Sequence, residues 1–219
     1  RSLDRLVELG SIPSWYAQLL SWAVRCARSI AVAGGTGSGK TTLLNALSCE
    51  IPRSERIVTI EDSAELRFDS HPNLVRLEAR DSSIEGTGEI SIRDLVKNAL
   101  RMRPDRIVVG EVRAGECIDM LNALNTGHAG SLTTLHAGSA AEAVMGLVPM
   151  ARVGMDLPTD LIEEQIATAI NLIVVTRRLA DGARLVTSLT EVSRAPGGSA
   201  RLDECVSFSL GGRSWAPET

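Results

Sequence analysis

The strongest constraint on the fold is a short glycine-rich segment, residues 34–41, which reads GGTGSGKT. This spacing fits G-x-x-x-x-G-K-[ST], a pattern that is informative only where a strand precedes it and a helix follows it. The apolar residues 30–33 predict a short buried strand, and residues 40–47 have helical spacing. The segment therefore predicts an α/β fold with a P-loop unit. A merely flexible glycine-rich turn with a stray lysine is the less favoured interpretation.

The same residues indicate a site for phosphate. Glycines allow successive backbone N–H groups to turn inward around phosphate oxygens, and the N-terminus of the following helix adds positive potential. Lys40 can reach the outer phosphates, and Thr41 can offer its hydroxyl to Mg²⁺. We therefore predict ATP and Mg²⁺ as cofactors. The predicted nucleotide-binding residues of the loop are Gly34, Gly35, Thr36, Gly37, Ser38, Gly39, Lys40, Thr41 and Thr42.

Strand and helix patterns alternate along the rest of the chain. Such alternation predicts a mostly parallel sheet covered by helices on both faces. Aromatic residues make up only 3% of the chain, so the core must consist mainly of Val, Ile, Leu and Ala, which suits buried parallel strands. We expect a core over residues 29–192, a helical lead-in over residues 1–28, and a tail or extra strand over residues 193–219. Helices are predicted over residues 14–29, 91–101, 114–124, 139–148 and 161–170, and strands over residues 56–60, 73–79, 107–109, 131–135, 172–175, 185–192 and 205–210.

Charge, cysteines and hydropathy argue against several classes of protein. The formal net charge of −4 gives no global basic field, so we expect no direct nucleic-acid partner. The four cysteines form no C-x-x-C pair, which argues against a disulfide framework or a thiolate zinc site. No apolar run approaches the roughly 20 residues needed to cross a bilayer, and the start of the chain is not a secretory signal. Membrane association is therefore expected to come through partners.

Acidic side chains follow two of the predicted strands. Glu111 ends the run 107–111, and we expect it to leave a strand adjacent to the phosphate loop and to position the attacking water. Glu61 and Asp62 follow residues 56–60 and could serve the metal through its bound waters, beside a direct contact from Thr41. Solvated surface acids remain the alternative at this point. The predicted metal-site residues are Thr41, Glu61, Asp62 and Glu111.

Two histidines and one arginine complete the candidate site. His128 precedes the predicted strand over residues 131–135 and His136 follows it. Sequence patterns alone place neither imidazole beside phosphate, and no third ligand stands at a spacing that supports a metal site. Arg113 follows Glu111 closely and is a candidate for stabilising charge on the transferring phosphoryl group, within the subunit or across an interface. Pairing of Arg113 with a nearby acid is the alternative.

Four segments in register resemble the secretion ATPase superfamily of type II and type IV systems. The branch that looks most similar powers tight-adherence (Flp) pili (CpaF/TadA), and the likeness rests on residues 71–73 and 101–105. The resemblance covers roughly residues 20–192. In the language of the family, its Walker A, Asp box, Walker B and His box correspond here to residues 34–42, 59–62, 107–113 and 126–136.

The resemblance implies a RecA-like C-terminal ATPase domain that works in a hexameric ring. Such a ring would lie on the cytoplasmic side of the inner membrane, bind a membrane platform protein, and hydrolyse ATP to power pilus assembly or protein secretion. The family pattern adds weight to Glu111 as the catalytic glutamate, to Glu61 and Asp62 near metal and water, and to His128 and His136 as phosphate sensors. We therefore expect Glu111, Lys40, Glu61 and His136 to be catalytic, and Arg113 and His128 to bind nucleotide.

Family members normally carry a separate N-terminal domain, and only residues 1–29 precede the predicted P-loop strand. We expect that domain to be absent and residues 1–28 to be a remnant of its linker. Two alternative functions stay open. A nucleic-acid motor could use the same RecA-like fold, although the acidic balance is unfavourable for it. A regulatory ATP-binding module with vestigial catalysis would also keep the loop.

Overall fold

The computed structural model describes residues 2–68, 71–82 and 88–218. The strands are β1 Ile30–Gly34, β2 Ile57–Glu61, β3 Leu74–Glu78, β4 Arg106–Val109, β5 Leu132–Leu135, β6 Leu172–Arg178, β7 Arg184–Arg194, β8 Ala200–Ser209 and β9 Ser214–Pro217. The helices are α1 Leu3–Glu8, α2 Ser14–Arg25, α3 Lys40–Ser48, α4 Ile92–Ala99, α5 Glu116–Asn125, α6 Ala140–Gly154 and α7 Thr159–Ala169, with a 3₁₀ turn at Leu100–Met102.

The strands form one sheet in the order β3-β2-β4-β5-β1-β6-β7-β8-β9. The pairings from β3 to β6 are parallel, whereas β6, β7, β8 and β9 pair antiparallel. Parallel strands place their carboxyl ends at one edge of the sheet, which is where open α/β sheets bind their ligands. The predicted fold class, a largely parallel sheet flanked by helices, is confirmed.

The order of the strands corrects one expectation about the site. β4, which ends just before Glu111, is not a neighbour of β1, because β5 pairs with both. Neighbouring strands lie about 4.8 Å apart, so Glu111 leaves the sheet about two strand spacings from the phosphate loop. The expectation that Glu111 follows a strand adjacent to the loop is therefore wrong. The intervening strand carries the threonines of the sequence pattern over residues 126–136.

Each face of the sheet is covered by its own hydrophobic cluster. Along β1, Ala31 and Ala33 belong to the cluster packed by α4, α5, α6 and α7, while Ile30 and Val32 belong to the cluster packed by α1, α2 and α3. This alternation is the two-residue period of a strand buried on both faces. β1 is thus fixed from both sides before it enters the glycine-rich loop.

The first two helices share this core with β1. Leu20 and Val24 of α2 are fully buried. A buried arginine adds a polar connection, since Arg106 at the start of β4 is only 1% exposed. Its guanidinium pairs with Glu55 at 2.5 Å and donates to the backbone oxygens of Val24 at 2.9 Å and Gly130 at 3.0 Å. α2, β4 and the turn before β5 are therefore joined at the amino edge of the sheet.

The sequence predicted most elements, with differences at the ends of the chain and in α6. The predicted N-cap Ser91 is confirmed, since its side chain accepts from the backbone N–H of Asp94 in a capping box. The predicted helix over residues 139–148 is too short, because α6 continues through Pro149 to Gly154. The carbonyl that loses its helical donor at Pro149 belongs to Met145, a residue 73% exposed, where water can replace the donor.

The chain ends differ from the predictions in detail. α1 lies within the predicted helical lead-in over residues 1–28, although no separate helix was predicted there. The strand predicted over residues 205–210 corresponds to part of β8, which begins at Ala200, and β9 follows it in the same sheet without a predicted counterpart. The terminal residues 1 and 219 of the predicted end segments lie outside the described residues. No helix within residues 2–68, 71–82 and 88–218 is long and apolar enough to cross a membrane.

Candidate functional site

The glycine-rich loop leaves β1 at the carboxyl edge of the sheet and enters α3. Gly37 and Gly39 have φ angles of 72° and 101°, a left-handed backbone that favours glycine. Lys40 folds back over the loop, with its Nζ donating to the backbone oxygens of Gly34 at 2.9 Å and Gly35 at 3.3 Å. Burial lowers the pKa of the Lys40 ammonium, and the nearby Glu111 partly offsets this effect.

Gly34 is required by close packing. A Cβ on this residue would lie 2.4 Å from both Ser38 Oγ and Thr176 Oγ1, so no side chain fits there. The two hydroxyls are themselves 2.8 Å apart, and Thr176 Oγ1 also donates to the backbone oxygen of Ala33 at 3.3 Å. β6 therefore supports the base of the loop through Thr176, a contact that the sequence patterns did not indicate.

The loop borders an open cavity of about 280 Å³, which we call the phosphate cavity. The predicted site residues at its wall come from the loop, from the end of β2 and from the end of β4. Thr134 of β5 also lies in the wall, although no role was predicted for it. The lining residues are Thr36, Gly37, Lys40, Thr41, Glu61, Asp62, Ser63, Glu65, Leu66, Gly110, Glu111, Arg113 and Thr134.

Four charged groups of the phosphate cavity, on Lys40, Asp62, Glu111 and Arg113, are paired with one another. Lys40 Nζ lies 3.9 Å from Glu111 Oε1, while Arg113 Nε donates to Glu111 Oε2 at 2.5 Å. Arg113 Nη1 also donates to Asp62 Oδ2 at 3.1 Å. The hydrogen bond and charge of Glu111 raise the pKa of Arg113. The alternative weighed for Arg113, pairing with a nearby acid, is thus what the structure shows.

Glu61 differs from the other acids because it is buried, with only 5% of its surface exposed. Its Oε1 accepts from the backbone N–H groups of Glu65 at 2.9 Å and Leu66 at 2.7 Å. A Cβ on Gly110 would lie 3.2 Å from Glu61 Cγ, so the glycine before Glu111 makes room for it. One oxygen of Glu61 therefore shapes the loop after β2.

Thr134 links β5 to the segment that carries Glu111. Its Oγ1 donates to the backbone oxygen of Gly110 at 2.6 Å, and its own backbone oxygen accepts from Val112 N–H at 3.2 Å. These bonds hold the residues on either side of Glu111. The signal for this role was available only in the strand order, because β5 lies between β4 and β1.

The structure places the two histidines at opposite edges of the sheet. His136 is exposed and directly follows β5, at the edge where the loop lies, but it does not line the phosphate cavity. His128 precedes β5, and its Nδ1 lies 3.2 Å from the backbone oxygen of Ala123. A four-residue strand spans about 13 Å, so His128 is separated from the loop by the whole of β5. Contact between His128 and a nucleotide in the loop of its own chain is not compatible with this position.

A second cavity, also of about 280 Å³, lies on the other side of the loop, and we call it the side cavity. Thr42 is exposed and lines it rather than the phosphate cavity. Apolar side chains of α1 and of the start of β7 form much of the wall. The lining residues are Leu6, Leu9, Ser11, Ser38, Gly39, Thr42, Leu43, Thr176, Arg184, Leu185 and Val186.

Metal binding by protein side chains alone is not indicated. Within the part of the chain that the structure describes, no group of three or more His, Cys, Asp or Glu side chains is placed to hold a metal ion. Magnesium in nucleotide sites needs only one or two protein ligands, because phosphate oxygens and waters complete its shell. The arrangement of Thr41, Asp62 and Glu111 is compatible with that requirement.

The sheet order, the glycine-rich loop and the acids beyond it define a RecA-like P-loop ATPase domain. The sequence profile of the family described as Type II/IV secretion system protein matches residues 2–213. The chain belongs to this family, and the resemblance inferred from the four motifs is confirmed.

Individual relatives agree with this assignment. A Mycobacterium tuberculosis protein named for conjugal transfer is 41% identical over 197 residues, which are 90% of this chain and 55% of the relative. The type IV secretion system protein PtlH of Bordetella pertussis is 44% identical over 169 residues, 75% of this chain and 50% of PtlH. The crystal structure of the VirB11 ATPase from the Brucella suis type IV secretion system, in complex with sulphate, matches with a TM-score of 0.73 and 36% identity over 86% of this chain and 54% of VirB11. The chain spans about half the length of the curated relatives it matches.

Proposed function

We propose that this chain is the ATP-hydrolysing domain of a motor for protein secretion or pilus assembly. The observation that carries the proposal is the 3.9 Å approach of Lys40 Nζ and Glu111 Oε1 across the phosphate cavity. The lysine belongs to the loop that we propose binds phosphates, and the acid lines the same cavity beside it. A phosphate clamp and a water-positioning carboxylate at one cavity are the two parts that ATP hydrolysis requires.

The loop binds the triphosphate in this proposal. Its backbone N–H groups and the N-terminus of α3 surround the phosphates, and Lys40 exchanges its loop carbonyl partners for phosphate oxygens. Thr41 offers its hydroxyl to Mg²⁺, while Asp62 and Glu111 accept from waters of the metal shell. When bound, the ion supplies charge neutralisation at the phosphate oxygens.

Glu111 orients the attacking water, and its neighbours hold it in position. Arg113 and Thr134 fix its side chain and its backbone respectively. Glu61 keeps the loop after β2 in shape and so controls where Asp62 lies. His136, at the same edge of the sheet, is the histidine that we propose to sense the outer phosphate. His128 can contact only a nucleotide held by another subunit.

The side cavity is where we propose that the nucleoside lies. It adjoins the end of the loop at Gly39 and Thr42, and Leu6, Leu9 and Val186 offer apolar surface to a base. Nucleotide pockets combine such apolar walls with a few polar groups that fix orientation. In this arrangement α1 and α2 belong to the ATPase core, although residues 1–28 can also connect to a further domain.

The motor assignment goes beyond this chain and rests on its family. PtlH and VirB11 are named for type IV secretion systems, and the motif resemblance points to the pilus branch. We propose a hexameric ring on the cytoplasmic face of the inner membrane, coupled to a platform protein in that membrane. Rotation of domains between nucleotide states would then transmit force by protein contacts.

A nucleic-acid motor is the second candidate, and one observation favours it. The M. tuberculosis relative is named for conjugal transfer, a process that moves DNA. The formal net charge of −4 opposes it, because phosphate backbones attract basic surfaces. Turnover that rises on adding DNA and falls steeply with salt would favour this candidate.

The proposal is tested by measuring Mg-ATP binding and phosphate release with three proteins: wild type, Lys40→Ala and Glu111→Gln. We expect Lys40→Ala to lose binding and Glu111→Gln to bind ATP while losing turnover, because the first removes a phosphate contact and the second the water-orienting charge. Wild-type protein that binds ATP without releasing phosphate, even as an assembled ring, would instead support a regulatory module. Unchanged turnover by Glu111→Gln would contradict the role of this residue.

A further inference from the structure

Arg184, the first residue of β7, holds the phosphate loop from outside. Its Nε donates to the backbone oxygen of Gly37 at 2.8 Å. Its aliphatic part covers the next glycine, since a Cβ on Gly39 would lie 3.6 Å from Arg184 Cδ. No motif in the sequence marks this arginine, which is far from the loop along the chain.

We infer that Arg184 is a positioning residue for nucleotide phosphates, acting through the backbone of the loop. This inference rests on the proposed function, because it assumes that residues 34–41 bind the phosphates of ATP and ADP. It adds a charged residue of β7 to the groups that shape the loop.

The planarity of the peptide bond explains how the contact acts. In a trans peptide the C=O and the following N–H point in opposite directions. The bond from Arg184 fixes the oxygen of Gly37 on the outside, and therefore turns the N–H of Ser38 toward the inside of the loop. In this structure that N–H donates to the backbone oxygen of Gly35 at 3.2 Å, across the inside of the loop, and a phosphate oxygen would take the place of this acceptor. An amide directed inward is the donor that a phosphate oxygen needs.

A charged donor is well suited to this task. Gly37 has a φ angle of 72° and Gly39 one of 101°. Because glycine is the residue with the least restricted backbone, this part of the loop can change conformation unless other groups hold it. Lys40 holds the carbonyls of Gly34 and Gly35, but Gly37 lies beyond its two contacts. Arg184 therefore restrains the part of the loop that Lys40 does not.

Other contacts of the hairpin formed by β6 and β7 hold Arg184 beside the loop. Thr176 of β6 packs against Ser38 and leaves no space at Gly34, so the hairpin touches the loop at a second place. The pairing of β6 with β7 changes register between Val175 and Thr176, a bulge of the kind that redirects side chains beside functional sites. Backbone bonding from Val186 N–H to the oxygen of Ser11, at 2.9 Å, fixes the start of β7 to the segment between α1 and α2.

The test compares binding of Mg-ADP by calorimetry in wild type and in Arg184→Ala, Arg184→Lys and Lys40→Ala. The matched control is Arg194→Ala, because Arg194 ends the same strand, is exposed and pairs with Glu164 away from the loop. We expect Arg184→Ala to bind ADP about tenfold more weakly, the factor that corresponds to a hydrogen bond from a charged donor. Arg184→Lys should recover only part of this loss, since lysine lacks the planar fork of donors.

Three further readouts separate positioning from a general effect on folding. For Arg184→Ala, the melting temperature without nucleotide should match that of Arg194→Ala. Its KM for ATP should rise while its kcat stays unchanged. Its affinities for ADP and for an ATP analogue should fall by the same factor, so that their ratio stays constant. The inference would be overturned if Arg184→Ala bound ADP as tightly as wild type while Lys40→Ala did not bind it. That result would leave the proposed function intact. A fall in melting temperature that accounts for the loss of affinity would also overturn the inference. Wild-type protein without ADP affinity, or full affinity in Lys40→Ala, would reject the proposed function itself.

Discussion

The guanidinium of Arg113 bridges Glu111 and Asp62, two acids that follow different strands of the sheet. Its Nε lies 2.5 Å from Glu111 Oε2, and its Nη1 lies 3.1 Å from Asp62 Oδ2. The backbone N–H of Arg113 donates to Glu116 Oε1 at 2.7 Å, so the first turn of α5 anchors the residue. The side chain itself is 65% exposed. One arginine therefore sets the separation of the two acids at the mouth of the phosphate cavity.

This bridge predicts that Arg113→Ala lowers the kcat for ATP because Glu111 loses its restraint. We expect a fall of about tenfold or more, since small misplacements of reacting groups are costly, with little change in ADP affinity. Stability should change by less than about 1 kcal/mol, as is usual for exposed ion pairs. A double-mutant cycle with Glu111→Gln, read on the residual steady-state turnover of that variant, checks the mechanism. The Arg113→Ala effect should disappear when Glu111 is already neutral, and full additivity would contradict the coupling.

The bond between Thr134 Oγ1 and the backbone oxygen of Gly110 predicts a role for a residue that carries no charge. Thr134→Val keeps the shape of the side chain and removes this 2.6 Å bond. We expect a loss of about 1 kcal/mol in stability and a fall in kcat, because the segment before Glu111 is released. Thr133→Val is the matched control, since the Thr133 hydroxyl makes only a 3.5 Å contact. Equal kinetics in the two variants would show that Thr134 does not position Glu111.

Burial of Lys40 predicts a pH dependence of ADP binding. The protonated ammonium binds phosphate, and burial lowers its pKa from the ordinary value of 10.5. Affinity should therefore be complete below this lowered pKa and decline as the pH rises through it, starting earlier than for an ordinary lysine. Calorimetric titrations from neutral pH to about pH 10 test this. Lys40→Arg is the control, because arginine stays charged over this range. This variant should bind ADP more weakly than wild type, but its affinity should not change with pH. A wild-type affinity that does not change with pH would contradict the role of Lys40 as a charged phosphate ligand.

The buried Arg106 predicts the largest effect on folding. Arg106→Met should lower the free energy of unfolding by about 3 kcal/mol or more, because it leaves the backbone oxygens of Val24 and Gly130 without their donor and Glu55 without its partner. Glu55→Gln should cost less, since the Glu55 side chain is 26% exposed and keeps access to water. Urea denaturation of both variants measures the difference. A stability loss in Glu55→Gln as large as that in Arg106→Met would show that the ion pair, rather than the carbonyl contacts, dominates.

Local sequence predicted the parts of the site that lie close together along the chain. The loop, the helix that begins at Lys40 and the acids at the ends of β2 and β4 all follow from the spacing of glycines and apolar residues. The sequence could also have predicted that the two histidines lie at opposite edges of the sheet, since His128 precedes β5 and His136 follows it. In a sheet of parallel strands, only the second can share an edge with a loop that follows β1.

These local patterns could not predict which distant segments pair with one another in the sheet. The insertion of β5 between β4 and β1 depends on which strands bond, and the sequence of any one strand does not specify its neighbour. Thr134, Thr176 and Arg184 acquire their contacts only from that order. Arg106 is a further case, because a cation at the start of a buried strand gives no local indication of the carbonyls that surround it.

The place of β1 in the sheet also has a mechanical meaning. β1 lies beside β6, the strand at which the parallel part of the sheet, whose strands β2 and β4 end at the acids, meets the antiparallel part that continues to the outer edge at β9. Hydrogen-bonded pairing continues across all of these strands, with register shifts between Val175 and Thr176 and between Leu189 and Thr190. A load applied at the β9 edge would therefore pass through hydrogen-bonded strands to Thr176 and Arg184, and so to the glycine-rich loop that these two residues contact.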